Sequence, residues 1–501
     1  MSQSYRARIR MYRQGIGDCL LVQLPRDDSD QPFRIVIDCG VVLGTPDATN
    51  IMHRVVDSLQ RATGGDPETK TPGIIDLLVI THEHWDHVSA FNQVPDWKER
   101  FAVKGAWAGW TENPRDEQAR SLDKAKSMAL SALTNASAGF GAADTQEAAT
   151  VNEMLAFFGV GPLADQEAFG VRATTRDGRD KALALAGDRL EFLDPGGEPR
   201  RLEGVDKARV FILGPPRNRK LLKKAAPTGS APETYGFGAD EGGMIGVHTL
   251  NAALLDGAGG PFSPAFNIPA PEAENIVFFQ EHYLNAKEAP PTVKADDGIE
   301  EDDQAEAVGK ILGDASWRKI DHEWAGVASD LAMKLDSATN NTSLAFAIEL
   351  EPDGDVLLFP ADAQVGNWLS WHDVEWSGLG KDKRAKDLLA RTCFYKVGHH
   401  GSHNATLKEK GLEMMEHPGL IAMVPVNRAV AVKKKWTEMP LEELMEALSE
   451  KTRGRLLCAD DDSFPKKPKG VKKAVWDAFT KKVSTTAPGE PEDNLYFEVE
   501  I

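Results

Sequence analysis

The stretch "VITHEHWDHVSAF", Val79–Phe91, joins an apolar run to a dense group of ionisable side chains. Three histidines and two acids fall within the six residues from His82 to His87, directly after the apolar run "IIDLLVI". Such a run indicates a buried strand, and five ionisable groups at its end would be costly to bury without a ligand. The stretch therefore predicts a metal site at the carboxyl end of a buried strand.

The order of histidines and acids in this stretch predicts two cations. Alternate residues of an extended loop project to the same side, so we expect His82 and His84 to bind one cation. We expect Asp86 and His87 to bind a second cation nearby. Imidazole and carboxylate ligands without thiolate suit zinc, manganese or iron. The alternative interpretation is a polar loop whose histidines cap neighbouring backbone groups.

The composition is that of a globular protein. Of 501 residues, 41% are hydrophobic and 27% are charged. The sequence shows no secretion signal and no apolar run long enough to span a membrane. Its four cysteines include no C-x-x-C pair, which fits a reducing compartment, so we expect a cytoplasmic protein that does not bind membranes.

The net charge of −19 disfavours bulk nucleic acid and anionic membranes as partners unless basic residues cluster locally. Three basic runs do occur, at 217–224, 432–436 and 465–473. Each run is typical of solvated surface, but two of them follow the last histidine motif. A phosphate-binding rim therefore remains a second interpretation.

The apolar patterns predict an α/β fold that is interrupted by a long insertion. Strand-like runs and one amphipathic helix occupy 1–110, and strand patterns resume over 340–501. The region 111–339 is alanine-rich at its start and rich in glycine and proline later. Its segment at about 290–308 is strongly acidic, which predicts a flexible loop. We expect this region to be a helical and irregular insertion.

The motif "THEHWDH", Thr81–His87, resembles the signature of the metallo-β-lactamase superfamily. Other superfamily motifs match in order: "VIDCG" around Asp38, "LLFPADA" around Asp362 and "KVGHHGSHN" at 396–404. The resemblance implies an αβ/βα sandwich with a long insertion. It also implies a hydrolase that uses two divalent ions, zinc or manganese, to generate hydroxide from bound water.

Two further segments resemble a particular subgroup, the ComEC-like hydrolase domains of competence proteins. These segments are "GIGDCLLVQL", at 15–24, and "NNTSLAFAI", at 340–348. The resemblance to this subgroup implies a phosphodiesterase or nuclease.

The superfamily resemblance implies a role for each matching residue. His399 would face the substrate and donate a proton to a phosphate oxygen or to the leaving group, with a core or capping role as the alternative. Asp86 is the second catalytic candidate. The implied ligands and their support are His82 and His84 for the first ion, Asp86, His87 and His400 for the second, Asp362 between the two ions, and Asp38 behind the histidine loop.

Two positions depart from the superfamily pattern. A histidine expected before the strand that leads to Asp362 is missing, and Asn340 or Asn341 stands there instead. We take Asn341 as the ligand, and its amide oxygen would favour manganese over zinc. His248 or His282 from the insertion is the alternative ligand. The second departure is Ala361, where relatives carry glycine. Alanine is strained there if the backbone needs a positive φ.

The substrate implied by the resemblance is a phosphate-containing small molecule or single-stranded nucleic acid. The net charge of −19 favours an alternative, a hydrolase of a non-phosphate ester, lactone or amide. A third hypothesis is a regulatory module with a vestigial site, in which the insertion binds a partner protein.

Overall fold

A computed structural model describes residues 5–140, 146–160, 174–225, 276–277, 320–379, 384–434, 436, 438–461, 464–486 and 494–501. The acidic segment at about 290–308 lies outside these residues, as do His248 and His282. The prediction of an α/β fold is confirmed, because the described residues form helices and two large mixed sheets. In the described ranges, every helix is too short or too polar to cross a lipid bilayer.

Strands occur from the start of the described chain to its end. Most are four or five residues long. Their bounds are β1 (Arg8–Tyr12), β2 (Leu20–Leu24), β3 (Phe33–Ile37), β4 (Gly73–Ile75), β5 (Leu77–Ile80), β6 (Phe101–Val103), β7 (Ala106–Gly109), β8 (Leu190–Leu193), β9 (Arg200–Leu202), β10 (Val205–Ile212), β11 (Phe346–Glu349), β12 (Val356–Phe359), β13 (Thr392–Lys396), β14 (Ile421–Val424), β15 (Leu456–Cys458), β16 (Val483–Ser484) and β17 (Tyr496–Glu500).

The helices alternate with these strands over much of the chain. The longest ones belong to the region between β7 and β11. Their bounds are α1 (Ala48–Ala62), α2 (Trp85–Val88), α3 (Ala90–Gln93), α4 (Trp97–Arg100), α5 (Glu117–Phe140), α6 (Gln146–Ala156), α7 (Thr175–Ala184), α8 (Arg219–Leu222), α9 (Ile320–Asn340), α10 (Val365–Trp371), α11 (Ala385–Ala390), α12 (Arg428–Lys433), α13 (Glu442–Lys451) and α14 (Lys473–Thr480).

The strands form two large sheets and one small one. The first sheet has the order β16-β17-β1-β2-β3-β5-β7-β8, and the second has the order β15-β14-β13-β12-β11-β10-β9. Strands β4 and β6 pair separately. In the first sheet β3 runs parallel to β5, and in the second β12 and β13 are parallel. The carboxyl ends of neighbouring parallel strands therefore meet at one edge of each sheet.

The two large sheets share one hydrophobic core. Successive side chains of a strand point to opposite faces, so alternate residues of each sheet enter this core. Leu77 and Val79 of β5 enter it from the first sheet, and Leu357 and Phe359 of β12 enter it from the second. The residues between them face outward and are also buried. This burial on both faces explains why the strand sequences are almost entirely apolar.

Helices cover the outer faces of both sheets. The apolar stripe of α1 packs with the outward residues of β3 and β5 in one cluster. On the second sheet, α10, α11 and α13 contribute buried side chains to a separate cluster with the outward residues of β12 and β14. The order of layers is therefore helix, sheet, sheet, helix.

The region predicted as an insertion, 111–339, contributes to both sheets. Strand β8 pairs with β7 at the edge of the first sheet, and β10 pairs with β11 in the second. By internal contacts, the chain divides into one unit formed by Met1–Leu130, Asn152–Gly242 and Ala332–Ile501 and another formed by Ser131–Val151 and Gly243–Leu331. The predicted insertion is therefore interrupted by segments of the main unit.

Replacement of Phe359 by alanine should destabilise the core between the sheets. Its ring lies 5.3 Å from that of Phe346 and 5.7 Å from that of Phe394, between ring centroids. We expect Phe359→Ala to lower the free energy of unfolding by about 3–5 kcal/mol, measured by denaturant titration in a chelator. Val432→Ala, at a side chain that is 76% exposed, is the control and should change it by less than about 0.5 kcal/mol. Equal effects of the two substitutions would contradict this packing.

Candidate metal centre

The candidate site lies where loops leave the carboxyl ends of four strands. Asp38 follows β3 and the histidine loop, 81–87, follows β5, while Asp362 and His400 follow β12 and β13. Ligands in α/β sheets bind beyond these strand ends. A contact between Asp86 of the loop and His400 joins the two sheet edges across 314 positions of sequence.

Four buried side chains, Asp86, His87, Asp362 and His400, form a group that we call the four-ligand site. Nε2 of His400 lies 2.9 Å from Oδ2 of Asp86 and 3.5 Å from Oδ2 of Asp362. Nε2 of His87 lies 3.2 Å from Oδ2 of Asp362 and 3.8 Å from Oδ2 of Asp86. Two ligands about 2.1 Å from a tetrahedral ion lie roughly 3.4 Å apart. These separations bracket that value, so the group has the dimensions of a metal site.

The outer nitrogens of both imidazoles have partners that leave the inner nitrogens free to bind a metal. Nδ1 of His400 donates to the carbonyl oxygen of Pro425 at 2.7 Å. Nδ1 of His87 donates to Oδ2 of Asp38 at 2.8 Å. In the neutral form, each imidazole carries its single proton on Nδ1, so each Nε2 would present a lone pair to an ion at the four-ligand site. Asp38 thus lies behind His87, at the place that the resemblance implied for it.

His82 and His84 form a second pair of possible ligands, which we call the two-histidine site. Nε2 of His82 lies 3.2 Å from Nδ1 of His84, again close to the spacing of two ligands on one ion. Thr81 connects this pair to Asp38: its hydroxyl donates to Oδ2 of Asp38 at 2.6 Å and lies 3.1 Å from Nδ1 of His82. Burial lowers the pKa of His84 to about 3, so its imidazole is neutral and able to bind a metal.

Lys396 and Asp18 support Asp362, and the sequence analysis missed both. The buried ammonium of Lys396 lies 2.5 Å from Oδ2 of Asp18 and 3.2 Å from Oδ1 of Asp362, and donates to the carbonyl oxygen of Ala361 at 3.1 Å. Its three protons are thus satisfied, and Oδ2 of Asp362 is left to face the histidines. A lysine within the apolar strand β13 is the sequence signal that could have indicated this role.

Asp18, Asp38 and His87 also lie close enough together to hold an ion. However, Asp18 binds Lys396, and the two oxygens of Asp38 already accept from Thr81 and His87. We therefore interpret this group as the support of the four-ligand site.

Negative charge exceeds positive charge in this buried region. Burial by itself lowers the pKa of His87, but Asp362 and Asp86 outweigh burial and raise that pKa well above its usual value. The same two acids raise the pKa of His400 against the effect of burial. Without another cation, the imidazoles take up protons, and a metal ion would replace these protons. The buried carboxylates responsible are Asp18, Asp38, Asp86 and Asp362.

His399 lies beside the centre, and its hydrogen bonds leave Nε2 without a proton, so the ring would accept a proton before it could act as the donor that the resemblance implied. Ser402 donates its hydroxyl to Asn404 at 3.0 Å, so Nδ1 of His399 donates to Ser402 at 2.7 Å. Nε2 then carries a lone pair, 3.4 Å from Nδ2 of Asn340. Burial lowers the pKa of His399 to about 4, so the ring is uncharged near neutral pH.

Asn340, not Asn341, is the amide at the centre. Oδ1 of Asn341 accepts from the backbone amides of Gln364 and Asn367, each at 3.2 Å, and its Nδ2 donates to the carbonyl of Lys224. The Asn341 amide therefore uses its oxygen and nitrogen to join neighbouring loops. It is unsuited to the ligand role that the sequence analysis expected for it. Oδ1 of Asn340 is buried without a hydrogen-bond partner among the described residues.

Backbone in the left-handed region occurs at four non-glycine positions of the centre: Asp38, Ala361, His399 and His400. Their φ angles lie between 41° and 54°. Each such residue costs about 1–3 kcal/mol and persists only where surrounding contacts hold it. The φ of Ala361 is 54°, a conformation that glycine adopts without steric cost and alanine does not.

Glu83, between the two histidines of the loop, is held by cations from α5 and α7. Lys126 of α5 contacts its Oε1 at 2.6 Å, and Arg179 of α7 pairs with its Oε2. Burial raises the pKa of Glu83, but these two cations outweigh burial and the pKa is lowered. The amide of Trp85 also donates to the carbonyl of Phe157 at 2.7 Å. Residues of the predicted insertion thus fix the histidine loop.

Comparison with known proteins assigns no family. No protein family profile matches the chain, and no curated protein is significantly similar to it. The metal centre is therefore inferred from side-chain chemistry and geometry.

Replacement of Ala361 by glycine should stabilise the protein, because glycine adopts a positive φ without steric cost. We expect Ala361→Gly to raise the free energy of unfolding by about 1 kcal/mol in denaturant titrations. Ala363→Gly is the matched control. Ala363 is buried and has no positive φ, so glycine there should destabilise by about 1 kcal/mol. A loss of stability in both variants would contradict the strain at Ala361.

Replacement of Lys126 by methionine should weaken metal binding, because Glu83 would lose one of its two cations and the histidine loop would shift. We expect Lys126→Met to weaken metal affinity about tenfold in chelator competition. Lys124→Met, at an exposed position of the same helix, is the control and should bind metal like the wild type. Unchanged affinity in Lys126→Met would show that the pairing at Glu83 does not support the metal centre.

Proposed function

We propose that this chain is a metal-dependent hydrolase of the metallo-β-lactamase superfamily, related to ComEC-like hydrolase domains, that cleaves phosphodiesters. The observation that carries the proposal is the four-ligand site, where side chains from two sheet edges approach each other at metal-ligand spacing. The order of layers, helix, sheet, sheet, helix, supports an αβ/βα sandwich.

Two divalent ions, zinc or manganese, fit the donor set. His82 and His84 would hold the first ion, and the residues of the four-ligand site would hold the second. Ions bound there would lower the pKa of water and stabilise negative charge on a phosphate. The amide oxygen of Asn340, which stands where the superfamily carries histidine, favours manganese at the first ion.

The side chains around the ligands have roles of their own in hydrolysis. Water must attack phosphorus, the bond from phosphorus to the leaving oxygen must break, and a proton must move from the water to that oxygen. Nε2 of His399 carries the lone pair that can accept this proton. Oδ1 of Asp86 is buried without a hydrogen-bond partner among the described residues, so it can orient the attacking water.

The surroundings of His84 support an anionic substrate. The ring of Phe157 lies 5.6 Å from that of His84 and stacks on Trp436 at 4.9 Å, between ring centroids. The ammonium of Lys434 lies 5.3 Å from the centre of the Trp436 ring. Part of the basic run at 432–436 thus connects to the centre through aromatic contacts, and the positive charge of Lys434 would favour an anionic substrate.

A substrate panel tests the function. The purified chain, loaded with Mn²⁺ or Zn²⁺, should hydrolyse bis(p-nitrophenyl) phosphate, single-stranded DNA, RNA or a cyclic dinucleotide. Asp362→Ala removes the acid between the two ions and should reduce turnover to background. Asp373→Ala, at an exposed acid, is the control and should retain wild-type turnover.

The panel also includes p-nitrophenyl acetate and a lactone. Turnover of these alone would replace the phosphodiester by a non-phosphate substrate, as the net charge of −19 would favour. Bound metal without turnover of any substrate would overturn the hydrolase and favour a module that binds a partner protein.

A further inference from the structure

Helix α9 ends at the metal centre and brings two polar residues to it. Asp336 and Asn340 are four residues apart, so they lie on the same face of the helix. Their side chains contact each other, since Nδ2 of Asn340 donates to Oδ2 of Asp336 at 3.1 Å. Asp336 is 7% exposed and Asn340 is fully buried. The superfamily motifs found in the sequence do not include Asp336.

Two unsatisfied atoms face each other next to the two-histidine site. Oδ1 of Asp336 and Nε2 of His84 are both buried without a hydrogen-bond partner among the described residues. They lie 3.7 Å apart, slightly beyond hydrogen-bond distance. A buried carboxylate oxygen and a buried imidazole nitrogen are costly to leave unpaired, so a small side-chain movement that joins them is favourable.

We propose that Asp336 is a positioning residue of the first metal site. With the first ion bound, its Oδ1 would accept a hydrogen bond from the Nε2–H group of His84. The lone pair of His84 is then on Nδ1, the nitrogen that lies 3.2 Å from Nε2 of His82. A carboxylate behind a metal-binding histidine fixes the ring and makes it a stronger ligand. This inference rests on the metal centre of the proposed function, but not on its substrate.

Through Asp336, helix α9, the last helix before β11, would thus position a ligand of the first ion. The same helix ends at Asn340, whose unpartnered Oδ1 is the other oxygen available to the first ion. One helical face would therefore supply both the support of His84 and the oxygen that stands in for the missing histidine.

Metal binding by two variants tests this role without reference to activity. Metal analysis with Mn²⁺ and Zn²⁺ should find two ions per wild-type chain. Chelator competition should then give the affinity of each ion. In Asp336→Ala, the first ion should bind about 10–100-fold more weakly, while the affinity for the second stays within about threefold. In Asp336→Asn, the amide oxygen can still accept from His84, but the amide nitrogen then faces Nδ2 of Asn340, so we expect a loss of affinity that is smaller than in Asp336→Ala but measurable. Glu351→Gln removes an exposed acid and is the charge-matched control, with wild-type binding expected.

The proposal is overturned if Asp336→Ala binds both ions like the wild type, or if the wild type binds a single ion. It is also overturned if Asp336→Asn loses as much affinity as Asp336→Ala, since the carboxylate would then act as a direct ligand or through its charge. The Co²⁺ absorption spectrum of each variant reports the first site independently, and circular dichroism confirms folding. Two bound ions without phosphodiester turnover would reject the proposed function and leave this inference intact.

Discussion

The ammonium group of Lys396 lies 2.5 Å from Asp18 at the edge of the first sheet and 3.2 Å from Asp362 at the edge of the second. A buried ammonium is stable only where each of its protons has an acceptor, and here the carbonyl of Ala361 takes the third. The same contact turns Oδ2 of Asp362 towards the histidines. The arrangement of the candidate ligands therefore depends on a residue that is not itself a candidate ligand.

The loops around this contact have an unusual backbone conformation. Ala361, directly before Asp362, is left-handed, and so are His399 and His400 in the neighbouring loop. The amide of His399 donates to Oδ1 of Asp362 at 3.1 Å, which helps to hold that loop. Strained backbone is unfavourable for stability, and so is a group of buried carboxylates that carry the same charge. Their coincidence at one sheet edge is typical of a site shaped for a ligand.

The sequence predicted the features that depend on local pattern. The apolar run before His82 indicated one buried strand; its second half forms the buried β5, whereas its start belongs to β4 of the small sheet. The spacing of His82, His84, Asp86 and His87 indicated ligands. The choice between Asn340 and Asn341 could not be made from sequence, because it depends on which amide meets the loops at Gln364 and Asn367. The protonation of His399 likewise depends on Ser402 and Asn404, which act only once the loop is folded.

Residues of the region 111–339 support the histidine loop, so this region is not a separable addition to the two-sheet fold. Glu83 would be a buried unpaired acid without Lys126 and Arg179, and breaking a buried ion pair costs about 3–5 kcal/mol. Strand β10 pairs with β11, so removal of the whole region would also expose an edge of the second sheet. The described parts of this region that carry Lys126, Arg179 and β10 thus belong to the structure that positions the candidate ligands. A chain that kept only the recognisable motifs would retain the ligands but lose the contacts that place them.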